Sequence, residues 1–248
     1  MTDDQDQPTG GEPPGYFEYI AAAYDSLQPH LIPAYWEALR LTADIVASEL
    51  PPGGRVADLG TGTGNLAARL LEVHRSARVV CYDLVAEMLT RAQEKLGPTG
   101  RAQFRQSDLR RAGLVVARFD AVMSGFFLHH LTDRRKAEFF RHVFNRLPPG
   151  GWFWNGDQVA LGSAFLQERA DARQQAATRD AVTTGDITSD DLALRDEFGR
   201  SARSAGLERH YYAPLADLLE WLRFAGFDPV DVAWLEGDRA VFGGRRPE

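Results

Sequence analysis

The chain is poor in cysteine and in basic residues, and each shortage removes a class of explanation. A single cysteine, Cys81, among 248 residues excludes an internal disulfide. No paired Cys/His spacing suggests zinc, so the expected metal content is none. Lys and Arg number 28 against 35 Asp and Glu, for a formal net charge of -7. Proteins that grip a phosphate backbone usually carry a basic stripe, so a nucleic-acid partner is not expected. No apolar run approaches the ~20 residues that cross a bilayer, which argues against a membrane partner. Residues 1–14 (MTDDQDQPTGGEPP) hold no apolar stretch of signal-peptide type. They are acidic and rich in Pro and Gly, and are expected to form a disordered tail. A reducing cytoplasm is the simplest compartment.

What is present is an α/β rhythm. The length and a 44% hydrophobic content suit one large α/β domain, or a core domain with an elaborated cap. Phe17, Ile20, Tyr24 and Leu27 recur at helical spacing up to Pro29, and a second helix is predicted over 32–50. Strands are predicted over 55–59, 77–82, 102–106, 119–124 and 151–155, with helices over 65–73, 85–96 and 133–147. Such alternation predicts a parallel sheet covered by helices on both faces. The rhythm breaks after Val159, where 162–209 are polar and helix-prone. A helix over 215–225 follows, then strands over 229–235 and 239–242 with Glu236, Gly237 and Asp238 between them, the spacing of an antiparallel hairpin.

The strongest local signal is the run VADLGTGTGN from Val56 to Asn65: a strand, a glycine-rich turn and a helix start. Gly60, Gly62 and Gly64 let backbone approach a ligand closely, and the helix start aims N–H groups into the crevice above the strands. Asp83 ends the second strand 25 residues after Asp58. An acid there can accept both ribose hydroxyls of a nucleoside. Asp108 ends the third strand after the same interval and could accept from an adenine amine. Taken singly, each acid reads equally as a helix cap or turn former.

In combination these residues resemble the class I S-adenosyl-L-methionine (AdoMet)-dependent methyltransferases. VADLGTGTGN resembles their first motif, Asp83 in CYDLVAEML the second, and Ser107-Asp108-Leu109 the third. FDAVMSGFFLHHLTD resembles the fourth, RLPPGGWFWNGD the loop and strand that follow, and RAVFGGRR a reversed seventh strand. The resemblance implies an α/β, Rossmann-like sheet of seven strands, mostly parallel with the seventh antiparallel, and a helical cap. Its divisions would be an N-terminal helical segment (15–50), an AdoMet-binding core (51–160), a helical lid insertion (161–210) and a closing helix and hairpin (211–248). It also implies AdoMet as cofactor. The turn Gly60, Thr61 and Gly62 would lie under the methionine part, whose amino group Asp58 would help to hold. Asp83 would take the ribose hydroxyls, Asp108 with the Leu109 backbone would hold the adenine, and Leu84 would be a further cofactor contact. Ser124, Gly125 and Phe126 would face the sulfonium, and Tyr24 would close over the cofactor. A dinucleotide-binding dehydrogenase is the rival within the fold, but its fingerprint is G-x-G-x-x-G and this turn reads G-T-G-T-G.

The implied reaction is an in-line methyl transfer to a small-molecule acceptor, needing alignment but no metal. His129, beside His130 after the fourth strand, is the candidate general base, and Asp157, placed just after the fifth strand, is the second catalytic candidate. Each has a bland alternative, a packed histidine and a solvated loop carboxylate. A metal site at the histidine pair lacks a third ligand at suitable spacing. His210, Tyr211 and Tyr212 could line the acceptor pocket. The insertion is expected to be a lid, with a homodimer interface as the alternative, and Arg195, Arg200 and Arg203 are solvated charges unless one reaches a carboxylate. The layout also resembles, more weakly, the carboxy-AdoMet synthases, although Gly125 stands where a polar side chain is expected. A non-catalytic AdoMet-binding module and a nucleic-acid methyltransferase complete the alternatives.

Overall fold

A computed structural model describes residues 16–110, 118–204 and 210–248. The tail expected over 1–14 lies outside the described residues, as do the residues that follow Arg110 and those between the insertion and His210. Seven strands form one sheet in the order β3-β2-β1-β4-β5-β7-β6. In chain order they are β1 (Arg55–Leu59), β2 (Arg78–Asp83), β3 (Ala102–Gln106), β4 (Ala121–Gly125), β5 (Trp152–Gln158), β6 (Val230–Glu236) and β7 (Arg239–Arg245). β1 to β5 pair in parallel, and β7 runs antiparallel to both β5 and β6. The order reverses between β1 and β4, and that switch point sets a crevice above the strand ends.

The helices are α1 (Tyr16–Leu31), α2 (Tyr35–Glu49), α3 (Asn65–Val73), α4 (Ala86–Leu96), α5 (Asp133–Arg146), α6 (Ala164–Thr184), α7 (Ser189–Ser204) and α8 (Leu215–Ala225). Successive strand residues feed two apolar clusters. Ala57, Leu59, Val80, Tyr82, Val122 and Phe153 pack towards α5 and α8, whereas Val56, Val79, Cys81, Met123 and Trp154 pack towards α2 and α3. Both faces are buried, so these strands read as continuous apolar runs rather than as an alternating pattern.

Three boundaries differ from the sequence reading for reasons outside the local sequence. α1 continues through Pro29 to Leu31. Proline near the helix end costs one hydrogen bond, and Leu27 and Leu31 hold the last turn by packing on Ala181 and Ile187. β5 runs on to Gln158 because β7 pairs with it as far as Asp157↔Ala240 and Gln158↔Arg239. Asp157 therefore lies within a strand and not in a loop, and is only 2% exposed. β7 likewise runs to Arg245 along β5. The insertion contains the two helices α6 and α7, and α6 rests on α1 through that small cluster. Arg195 pairs with Asp196, Arg200 is exposed, and the Arg203 side chain lies outside the described set.

Candidate functional site

The crevice is built from the β1–α3 turn upward. Gly60 N–H and Thr61 N–H both donate to Tyr82 O at 2.9 Å, which folds the turn back over the end of β2. Gly62 N–H donates to Asp83 Oδ2 at 2.8 Å, and Val85 N–H to Asp83 Oδ1 at 2.9 Å. One carboxylate thus pins the glycine turn to the start of α4. Gly60 has φ +73°, and a Cβ there would lie 2.4 Å from the Phe127 ring. Gly62 has φ +53°, yet a Cβ there would meet nothing within 4 Å. The first glycine is required by packing, and the second opens onto unfilled space.

Asp58 is fully buried and accepts from Thr61 Oγ1 through Oδ2, while its Oδ1 has no hydrogen-bond partner within the protein. Burial, aided by the nearby Asp83 charge, pushes its carboxyl up to about 7 against the opposing pull of the Thr61 hydroxyl and the Ala67 N–H. Burial also raises Asp83, against the opposing pull of its backbone N–H donors. A buried acid with an unfilled oxygen, facing a second acid across a bare glycine, marks a place for a ligand that brings positive charge and hydroxyl donors.

α1 closes one side. The Tyr24 hydroxyl is raised well above its ordinary value by burial and by the neighbouring Tyr35 and Asp83. Asp25, absent from the sequence reading, clasps α1 onto the turn. It accepts from Thr63 Oγ1, from Asn65 Nδ2 at 2.9 Å and from Lys95 Nζ at 2.7 Å. Burial alone would raise this carboxyl, but Lys95, Thr63 and Asn65 together hold it below its ordinary value. Tyr35 is the other residue missed, accepting from Asn65 Nδ2 at 3.1 Å and stacking on Phe126 with ring centroids 5.1 Å apart. Only an acid one place after the family-like aromatic hinted at Asp25.

The remaining sequence candidates take different places. Leu84 is 37% exposed at the edge of the crevice. Asp108 is engaged by Arg110 through Nε at 2.9 Å and Nη2 at 3.1 Å, and Leu109 is buried in the α5 and α8 cluster. The Ser124 hydroxyl donates to Leu59 O at 2.8 Å and is fully buried, so it joins β4 to β1 inside the sheet. A Cβ on Gly125 would stand 2.6 Å from Leu39 Cδ2, so a side chain there would require the tip of Leu39 to shift. Phe126 is held at φ +51° by Phe126 N–H donating to Gly156 O at 2.8 Å. Strained backbone of this kind gathers at functional sites.

Beyond β4 and β5 a second polar group forms. Asp157 accepts from Leu128 N–H and Gln158 N–H, each at 2.7 Å, and lies 2.6 Å from His129 Nδ1. His210 joins from far along the chain, with ring centroids 5.0 Å from His129 and 5.2 Å from His130. Tyr211 N–H donates to His129 O at 2.6 Å, and the buried Lys136 Nζ donates to Tyr211 O, which fixes the segment that carries His210. The structure thus supplies the third ring that sequence spacing could not indicate.

Residues 56–151 match the family described as a methyltransferase domain. The chain is 27% identical over 221 residues to carboxy-S-adenosyl-L-methionine synthase of Wolinella succinogenes, covering 85% of this chain and 90% of that protein. It is 32% identical over 142 residues to the ubiquinone/menaquinone biosynthesis C-methyltransferase UbiE of Vibrio cholerae, covering 54% of this chain and about half (52%) of that relative. The solved DhpI–SAH complex superposes with TM-score 0.62 at 19% identity over 94% of both chains, a likeness of fold. Among the described residues no helix is long and apolar enough to cross a membrane.

Proposed function

Residues 56–151 of this chain form a class I AdoMet-dependent methyltransferase domain, and from that premise we propose that the protein carries the methyl group of AdoMet to a small-molecule acceptor bound over the ends of β4 and β5. The residues present fit the cofactor. The unpartnered Asp58 oxygen suits its amino group, and the bare face of Gly62 leaves room for its methionine part. Asp83 keeps lone pairs for the ribose hydroxyls after serving two backbone donors. Leu84 offers an apolar edge to adenine, and Asp108 with the Leu109 backbone is assigned to its amine end. Tyr24 and the strand edge from Ser124 to Phe126 close the methyl side.

Bound AdoMet supplies a methyl group already activated by its sulfonium, so the protein's main contribution is alignment of acceptor, methyl and sulfur. His129 stands on the acceptor side, and Asp157 fixes its ring. With Nδ1 turned to the carboxylate, the Nε2 lone pair faces away from it, able to take a proton from the acceptor.

The observation that carries this reading is the partnerless Asp58 oxygen beside Gly62 and Asp83. Calorimetry with AdoMet tests it. Asp83→Ala is expected to weaken binding at least about tenfold, the loss of roughly 1.5–3 kcal/mol of charge-assisted hydrogen bonding. Unchanged affinity in a folded variant removes the ribose assignment. Methyl transfer to a panel of small hydroxyl, amine and carbon acceptors then separates an enzyme from a binding module.

The match over 90% of the Wolinella synthase favours a second reading, formation of a carboxylated AdoMet. Gly125 opposes it, since glycine stands where that reading expects a polar side chain. Mass spectrometry of the nucleoside that copurifies with the protein distinguishes the two.

A further inference from the structure

We propose that His129, His130 and His210 hold a divalent transition-metal ion of the zinc type on the acceptor side of the crevice. One ring nitrogen from each lies within 4.8 Å of the other two. Three imidazoles with one open position are the donor set of catalytic zinc sites. Tetrahedral ligation draws such nitrogens to about 3.3 Å apart, so the widest edge must close by roughly 1.5 Å. His210 is exposed and lies outside any helix or strand.

A chance meeting of rings does not explain the surrounding contacts. Asp157 is buried, held by two backbone N–H donors, and turned to His129 Nδ1 at 2.6 Å. That is the carboxylate–histidine arrangement that sets the tautomer and presents Nε2 to a metal. Tyr212 Oη lies 3.0 Å from His210 Nδ1 and can orient the second ring in the same way. Lys136 and the Tyr211 N–H tie the His210 segment to the turn that carries the other two rings.

The role of the ion deepens the proposed reaction and rests on that reading, although its binding does not. With the ion bound, the His129 lone pair is a ligand rather than a base. The open position takes an acceptor hydroxyl, whose proton leaves to water, and holds the oxyanion against the methyl group. The acceptor class is then a small molecule with an ionisable hydroxyl.

Tag-free protein stripped by a chelator is titrated with Zn(II) by calorimetry and with Co(II) by visible absorption, both without AdoMet. One ion per chain is expected, with cobalt bands of a four- or five-coordinate nitrogen site. His210→Ala should weaken Zn(II) affinity at least about a hundredfold, and Asp157→Asn about ten- to a hundredfold. His142→Ala, an exposed histidine on α5, should change nothing. Absence of binding, or binding indifferent to His210→Ala, overturns the site. AdoMet affinity of the same stripped protein, measured in parallel, reports separately on the cofactor reading.

Discussion

Asp58→Asn is expected to stabilise the ligand-free protein above pH 7 while weakening AdoMet binding at least about tenfold. The folded protein holds this carboxyl at about 7 against an ordinary value of 3.8. Between those values the folded state keeps a proton that the unfolded state releases, so stability falls as pH rises through this window. The contribution is fully present below about pH 4 and lost above about pH 7, on the order of 4 kcal/mol for a fully buried acid. An amide carries no charge, so the variant escapes that loss. Denaturant unfolding of both proteins at pH 5, 6, 7 and 8 reads the effect as a gap that widens with pH. A gap of constant size would show that Asp58 titrates normally and would remove the buried-acid argument. Binding moves the other way, because the ligand's ammonium needs the carboxylate. Wild-type AdoMet affinity should therefore rise between pH 6 and 8, and the variant should lack that rise.

Gly60→Ala and Gly62→Ala should separate folding from binding within one turn. A methyl at Gly60 meets Cβ, Cγ and Cδ2 of Phe127 at 2.4–2.5 Å. The base of that ring cannot step aside as a flexible tip would, and overpacking together with a positive φ costs about 3 kcal/mol or more. Gly62 also has a positive φ, but a methyl there meets no protein atom within 4 Å. Its cost to folding should stay near 1–2 kcal/mol, the αL penalty. The same methyl occupies space assigned to the cofactor, so calorimetry should find AdoMet affinity reduced at least about a hundredfold. A folded Gly62→Ala protein with wild-type affinity would move the cofactor away from this turn.

Particular residues mark how far sequence reasoning reached. The glycine turn and Asp83 were legible because a parallel α/β fold repeats strand, turn and helix, each with local chemistry. Asp83 also has a role no motif announces, since its two oxygens bind Gly62 and Val85 N–H groups. Asp25 was missed because nothing local distinguishes it from a solvated helix acid, and only the approach of α1 to Asn65 and Lys95 gives it partners. Ser124 sits at a strand end as expected, but its rotamer turns inward to Leu59 O. Asp157 reads locally as a loop residue, whereas pairing with β7, a strand more than 80 residues later, lengthens β5 past it.

The order of elements, the closing hairpin and the glycine-rich turn were legible in the sequence, because hydrophobic period, turn chemistry and residue spacing act over a few neighbours at a time; the reversal of the seventh strand within the sheet was implied by the family resemblance. Tertiary structure alone decided which polar groups share a cavity and which are left without partners. It seated Asp25 on the turn, stranded one oxygen of Asp58 and brought His210 to His129 and His130. Desolvation and long-range contacts arise only when distant segments pack, so no local pattern encodes them.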